Sequence, residues 1–220
     1  MVTQRQRLTS AFEFAFGAAV VLGHNVWHVV PNEVLILAAL AVVSMRLRAA
    51  RWDWSVFGFR RPSSWRFIIL VALAAATLRI VLSDFVIEPL TATIWPSQTL
   101  PEGADEIAGN IGNALIALGL VWSFAAFGEE ITYRGYLLNR GADALGGTAL
   151  AFWIAAILSA VLFGYGHFYK GPAGVIDSGV AGLILAAAYL LTGRNLWTCV
   201  LAHGFIDTFG VAWLYLGLPD

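Results

Sequence analysis

Residues 111–128, IGNALIALGLVWSFAAFG, carry no ionisable side chain. As a helix, a run of about 20 largely apolar residues matches the hydrocarbon thickness of a bilayer. In lipid the backbone N–H and C=O groups must be satisfied internally, which confines such a run to a helix. The pattern recurs, and spans are expected near 11–30, 33–47, 66–88, 111–128, 149–168, 174–192 and 196–216. Only 12% of the 220 residues are charged, against about 25% in soluble domains. The expected fold class is therefore all-α, a polytopic transmembrane helical bundle of about seven spans (seven to eight). The second span is short enough to be re-entrant.

Charge is distributed more tellingly than its sum of -1 suggests. The segment RLRAARWDWSVFGFRRPSSWRF interleaves arginine with tryptophan and phenylalanine, a mixture suited to the headgroup layer. Residues 1–110 are thus read as N-terminal membrane helices with an interfacial Arg/Trp segment, and 111–220 as a helical core. With the N-terminus inside, alternating loops place Arg5, Arg7, the arginines from Arg46 to Arg66, Arg134, Arg140 and Arg194 inside. Lys170 falls outside, with the acidic loop of Asp84, Glu88, Glu102, Asp105 and Glu106. Positive charge favours the cytoplasmic face, so the N-terminus is expected there. The basic start MVTQRQRLTS has no small-residue cleavage site after it and reads as the lead into an uncleaved first span. The single cysteine, Cys199, excludes an internal disulfide. The partner implied throughout is the lipid bilayer; no nucleic acid is expected, and oligomeric state is not legible.

Against this background the ionisable groups in the apolar C-terminal half need a reason, because each costs at least about 2.5–3.5 kcal/mol at the bilayer centre. They are Glu129, Glu130, Arg134, His167, His203 and Asp207. Residues four apart share a helical face, so Glu130 and Arg134 can pair, as can His203 and Asp207. Glu129 points about 100° from Glu130 in an α-helix and has no local partner. Glutamate, two histidines and an aspartate together can activate water and stabilise an oxyanion. The residues alone leave two other readings open: a membrane protein that binds a peptide or protein without chemistry, and a proton-linked transporter.

In order along the chain, EEITYR matches Glu-Glu-x-x-x-Arg, FGYGH matches Phe-x-x-x-His and HGFID matches His-x-x-x-Asp/Asn. On successive apolar helices these motifs resemble the CPBP family of intramembrane proteases, which includes CAAX prenyl endopeptidases and bacterial Abi-type proteins. The resemblance implies an intramembrane endopeptidase acting on a peptide or protein substrate, with 111–220 as its catalytic core. It implies that Glu129 and His167 activate water, and that His203 and Asp207 face the oxyanion or hold its geometry. Glu130, Arg134 and Phe163 would support them. Tyr133 stands where relatives often have phenylalanine, and Asp207 where asparagine is common. No cofactor is required in this mechanism; if a divalent metal such as zinc is used, Glu129, His167, His203 and Asp207 would be its ligands. The compact length favours a bacterial inner-membrane enzyme of peptide processing, maturation or immunity. One geometric condition follows: Glu129 and His167 both come late in their helices. They approach each other only if the fourth helix continues toward Arg140.

Overall fold

In the computed structural model, residues 2–95 and 103–218 are described; Glu102 of the acidic loop lies outside them. Seven long helices are present among these residues: α1 Gln4–Asn25, α2 Asn32–Ala49, α3 Trp65–Ala92, α4 Ile111–Ala144, α5 Ala149–Gly166, α6 Gly171–Leu191 and α7 Leu196–Tyr215. No strand occurs among the described residues. Most helices start on a side-chain cap that accepts an otherwise unpaired amide. Ser64, Asn110, Thr148 and Asn195 cap α3, α4, α5 and α7. Thr3 and Gln6 form a reciprocal capping box on α1, which therefore begins several residues before the expected 11.

Four helical stretches are long and apolar enough to cross a membrane by length and composition: Trp65–Ala92, Ile111–Ala144, Ala149–Gly166 and Phe168–Leu191. The protein is an integral membrane protein. Of the remaining long helices, α1 holds Arg5, Arg7 and Glu13, α2 holds Glu33, Arg46 and Arg48, and α7 holds His203 and Asp207. The fourth helix does continue past Arg140, as the site requires. It is not uniform, however. Val121–Glu129 and Ile131–Leu138 are wound as π-helix, a geometry rare in general and frequent at functional sites. Ser83–Ile87 in α3 is a second such place.

Small residues decide how closely α5 and α6 approach. A Cβ on Gly164 would lie 2.5 Å from the Val175 carbonyl oxygen and 3.2 Å from the Gly179 Cα. One on Gly182 would lie 3.1 Å from the Ala160 Cα. Lipid offers no hydrophobic drive for helix association, so this close backbone packing supplies the contact. On the other side of α6, Arg79 of α3 forms an ion pair with Asp177, and the Ser83 hydroxyl donates to the same carboxylate at 2.8 Å. Arg79, deep in a span, is thereby neutralised by a neighbouring helix.

The Arg/Trp segment packs into the bundle. Its single 3-10 turn, Trp54–Phe57, sends Phe57 into the core at 1% exposure. Gly58 follows at φ 97°, a left-handed conformation costly for any residue with a Cβ. Its carbonyl accepts from the Leu196 amide at 2.9 Å, and the Asn195 side chain donates to Arg60 O at 3.0 Å. Phe59 stacks on Phe127 of α4 at 5.1 Å and meets Trp197 of α7 edge-on at 4.9 Å. The segment therefore keys the start of α7 to α4.

Replacing Gly164 by Ala puts a methyl group into the Val175 carbonyl and should destabilise the α5–α6 pair by about 1–3 kcal/mol. Thermal unfolding of the detergent-solubilised protein checks this; an unchanged midpoint would mean the two helices are not in backbone contact.

Candidate active site

The centre of the bundle holds a buried ionic network. Glu130 and Arg134, one turn apart on α4, are 0% and 1% exposed and pair at 2.7 Å. The same Glu130 oxygen, Oε1, accepts from Nδ1 of His203 on α7 at 2.7 Å. Arg134 donates its second terminal nitrogen to the Gly182 carbonyl of α6 at 2.9 Å. Its guanidinium carbon lies 4.5 Å from the centre of the Phe163 ring of α5, a cation–π contact. Opposite charges, fixed donors and a π-face compensate a pair that would otherwise be costly to bury.

Each histidine is oriented by its Nδ1. A backbone carbonyl only accepts, so His167, whose Nδ1 is 2.9 Å from Phe163 O, donates there and presents Nε2 as its basic nitrogen. His203 donates from Nδ1 to Glu130, and its Nε2 stands 3.6 Å from Oδ2 of Asp207. Asp207 is therefore a charged neighbour of His203 rather than its hydrogen-bond partner. The ring has a carboxylate at each nitrogen and can satisfy both only when both nitrogens are protonated. Phe163 connects the two histidines: its ring centre is 4.7 Å from that of His167 and 6.0 Å from that of His203.

The two glutamates differ sharply. Oε1 of Glu130 is engaged by two donors, whereas Glu129 takes part in no hydrogen bond or ion pair among the described residues; Oε2 of each glutamate is buried without a partner. No hydrogen bond links Glu129 to His167 either. Glu130, Arg134, His203, Asp207 and Phe163 are thus drawn together, with Glu129 next in the chain and His167 attached through Phe163. Among the described residues no three His, Cys, Asp or Glu side chains are grouped so that they could hold a metal ion.

Several residues that hold this geometry carry no ionisable group and escaped the sequence reading. The Ser159 hydroxyl donates to Tyr133 O at 3.0 Å, and the Thr132 hydroxyl to Gly128 O at 2.9 Å. Asn139 donates to the carbonyls of Arg134 and Gly135, at 2.8 and 3.0 Å, and contacts the Tyr189 hydroxyl at 2.9 Å. All of these acceptor carbonyls lie in the π-wound region, so side chains supply donors where winding departs from the α-helix. Trp122 lies across Gly204, beside His203, where any Cβ would collide with the indole; its Nε1 donates to Thr208 at 3.0 Å. A polar Ser and Asn inside apolar helices were the available signal for two of these residues.

A protein-family model described as type II CAAX prenyl endopeptidase Rce1-like matches residues 111–209, the stretch that carries every residue of this site. No curated protein and no solved structure matches the chain.

Removing one partner of a buried pair leaves an uncompensated charge. Arg134→Met should cost about 3–5 kcal/mol, read as a large drop in unfolding temperature and yield. Adding Glu130→Gln to Arg134→Met should recover part of the loss, and its failure to do so would refute the ionic account.

Proposed function

We propose that this chain is an intramembrane protease of the Rce1-like type II CAAX prenyl endopeptidase kind, whose family model matches residues 111–209. Glu129 is the general base. The observation that carries this reading is the contrast between adjacent carboxylates, one held by Arg134 and His203 and the other with a buried oxygen and no partner. A water molecule gives a proton to Glu129 as its oxygen attacks the scissile carbonyl carbon. His167, with Nε2 as its basic nitrogen, assists in orienting that water. The carbonyl oxygen gains negative charge and is stabilised by the protonated His203 ring, fixed through Glu130. Such preorganised donors contribute most when water is excluded.

Asp207, 3.6 Å from Nε2, is the counter-ion of the protonated ring, which answers the difficulty of placing an aspartate near an oxyanion: the cation stands between them. The tetrahedral intermediate then collapses, the C–N bond breaks, and the proton held by Glu129 passes to the leaving amine. Atoms and charge balance without a cofactor, and the chemistry runs on the chain's own acid–base groups. The substrate is a peptide or protein whose flexible end enters between the helices. We place the protein in a bacterial inner membrane, with its N-terminus in the cytoplasm and a role in peptide processing, maturation or immunity. Arg5, Arg46 and Arg140, brought together around one cavity, support that orientation.

Glu129→Gln should lower kcat for a CAAX-type peptide by about 10²–10⁴-fold, the range of general acid–base catalysis, with little change in unfolding temperature. Equal cleavage by Glu129→Gln and wild type would remove the proposed base. Chelators added to the purified enzyme should leave its rate unchanged; loss of activity restored by zinc would replace this mechanism with a metal-dependent one. Protease protection of an N-terminal tag in sealed inner-membrane vesicles tests orientation, and a tag cleaved from the periplasmic side would reverse it.

A further inference from the structure

A polar cavity lies away from the catalytic network, where α1, α2 and the last turns of α4 meet. Its volume is about 710 Å³, and its walls include Arg5, Glu13, Arg46, Arg140 and Asp143. Arg140 is held by Asp143 at 2.7 Å and approaches Glu13 at 3.7 Å. Arg5 and Arg46 have no ion-pair partner among the described residues. Two polar atoms in the wall, Nε of Arg140 and Oε2 of Glu13, are buried and make no hydrogen bond. The site therefore offers unpaired guanidinium groups for an oxyanion, and carboxylate oxygens that can accept from hydroxyl groups.

The same three helices form an apolar groove directly alongside, lined by Gly17 and Val20 of α1, Val42 and Val43 of α2, and Leu137 of α4. The register is consistent. Gly17 is one turn from Glu13, Val42 and Val43 one turn from Arg46, and Leu137 one turn from Arg140, in each case toward the bilayer interior. A basic polar chamber thus continues into a narrow apolar slot on all three of its walls. A free anion would use only the chamber. A molecule with a charged head and a hydrocarbon chain uses both.

We propose that this cleft binds an anionic phospholipid whose headgroup carries hydroxyls, with the phosphodiester against Arg5, Arg46 and Arg140 and the first carbons of one acyl chain in the groove, whose volume is about 60 Å³. The headgroup hydroxyls donate to Glu13 and Asp143. Basic pockets between membrane helices at a charged leaflet are suited to such headgroups, and the chamber has the size of a small-molecule site, about 300–1,000 Å³. The lipid would tie α1 and α2 to the helix that carries Glu129, Glu130 and Arg134.

The test uses the full-length protein in detergent, with native mass spectrometry and thermal unfolding. The additives are phosphatidylglycerol, phosphatidylcholine, a short-chain phosphatidylglycerol and inorganic phosphate. Phosphatidylglycerol should stay bound and raise the unfolding temperature, and the short-chain form should bind more weakly. Arg5→Gln combined with Arg46→Gln should lose about tenfold or more in affinity, as expected for two guanidiniums at an anionic lipid. Neither arginine pairs in the protein, so the fold should survive; Arg46→Lys should retain part of the binding. Val42→Trp, which fills the slot, should weaken phosphatidylglycerol binding and leave the effect of inorganic phosphate unchanged. Equal binding of phosphatidylcholine would overturn the proposal. So would an equal effect of inorganic phosphate, or arginine variants that raise the KM for peptide while lipid binding is unchanged.

Discussion

One carboxylate oxygen holds the C-terminal half of this protein together. Oε1 of Glu130 accepts from Arg134 on its own helix and from His203 on α7. Arg134 extends the connection to the Gly182 carbonyl on α6 and the Phe163 ring on α5. Four helices are thereby linked through two fully buried charged residues. A buried ion pair is a poor source of stability compared with well-packed apolar side chains. Its value here is positional, because each donor has one permitted direction and the helices must agree on it.

That demand explains the surrounding packing. The Gly182 carbonyl is within reach of Arg134 in a bundle where α5 and α6 touch backbone to backbone through Gly164, Gly179 and Gly182. His203 is set on a helix pressed against α4 by Trp122 across Gly204. The start of that helix is anchored by the backbone of Gly58 and Arg60. The Arg/Trp segment is thus part of the support for the site, although it contributes no residue to the chemistry. The π-wound stretch of α4 places Glu129 and Glu130 in different environments, and Ser159, Thr132 and Asn139 satisfy carbonyls along it.

The division of labour between the glutamates follows from this network. A carboxylate held by a guanidinium and an imidazole is committed to structure, and in the proposed mechanism its neighbour without donors is the one that transfers the proton. Histidine orientation follows the same logic, since Nδ1 of each ring is occupied and Nε2 is presented. Tight apolar surroundings strengthen each of these interactions and raise the cost of any one left unmade.

The sequence by itself determined the all-helical membrane architecture, because long uncharged runs have only the helix as a solution in lipid. It also determined the pairing of Glu130 with Arg134 and the proximity of His203 to Asp207, since spacing of four residues places side chains on one face whatever surrounds them. The three motifs in order were enough to indicate the family. What spacing could not reach was any contact between helices. His203 takes its hydrogen bond from α4 rather than from Asp207, Phe163 carries the Arg134 guanidinium, and Gly182 supplies a carbonyl. The π winding, too, has no signature in apolar periodicity. Local geometry fixes which residues share a face, and only packing decides which face of which helix they meet.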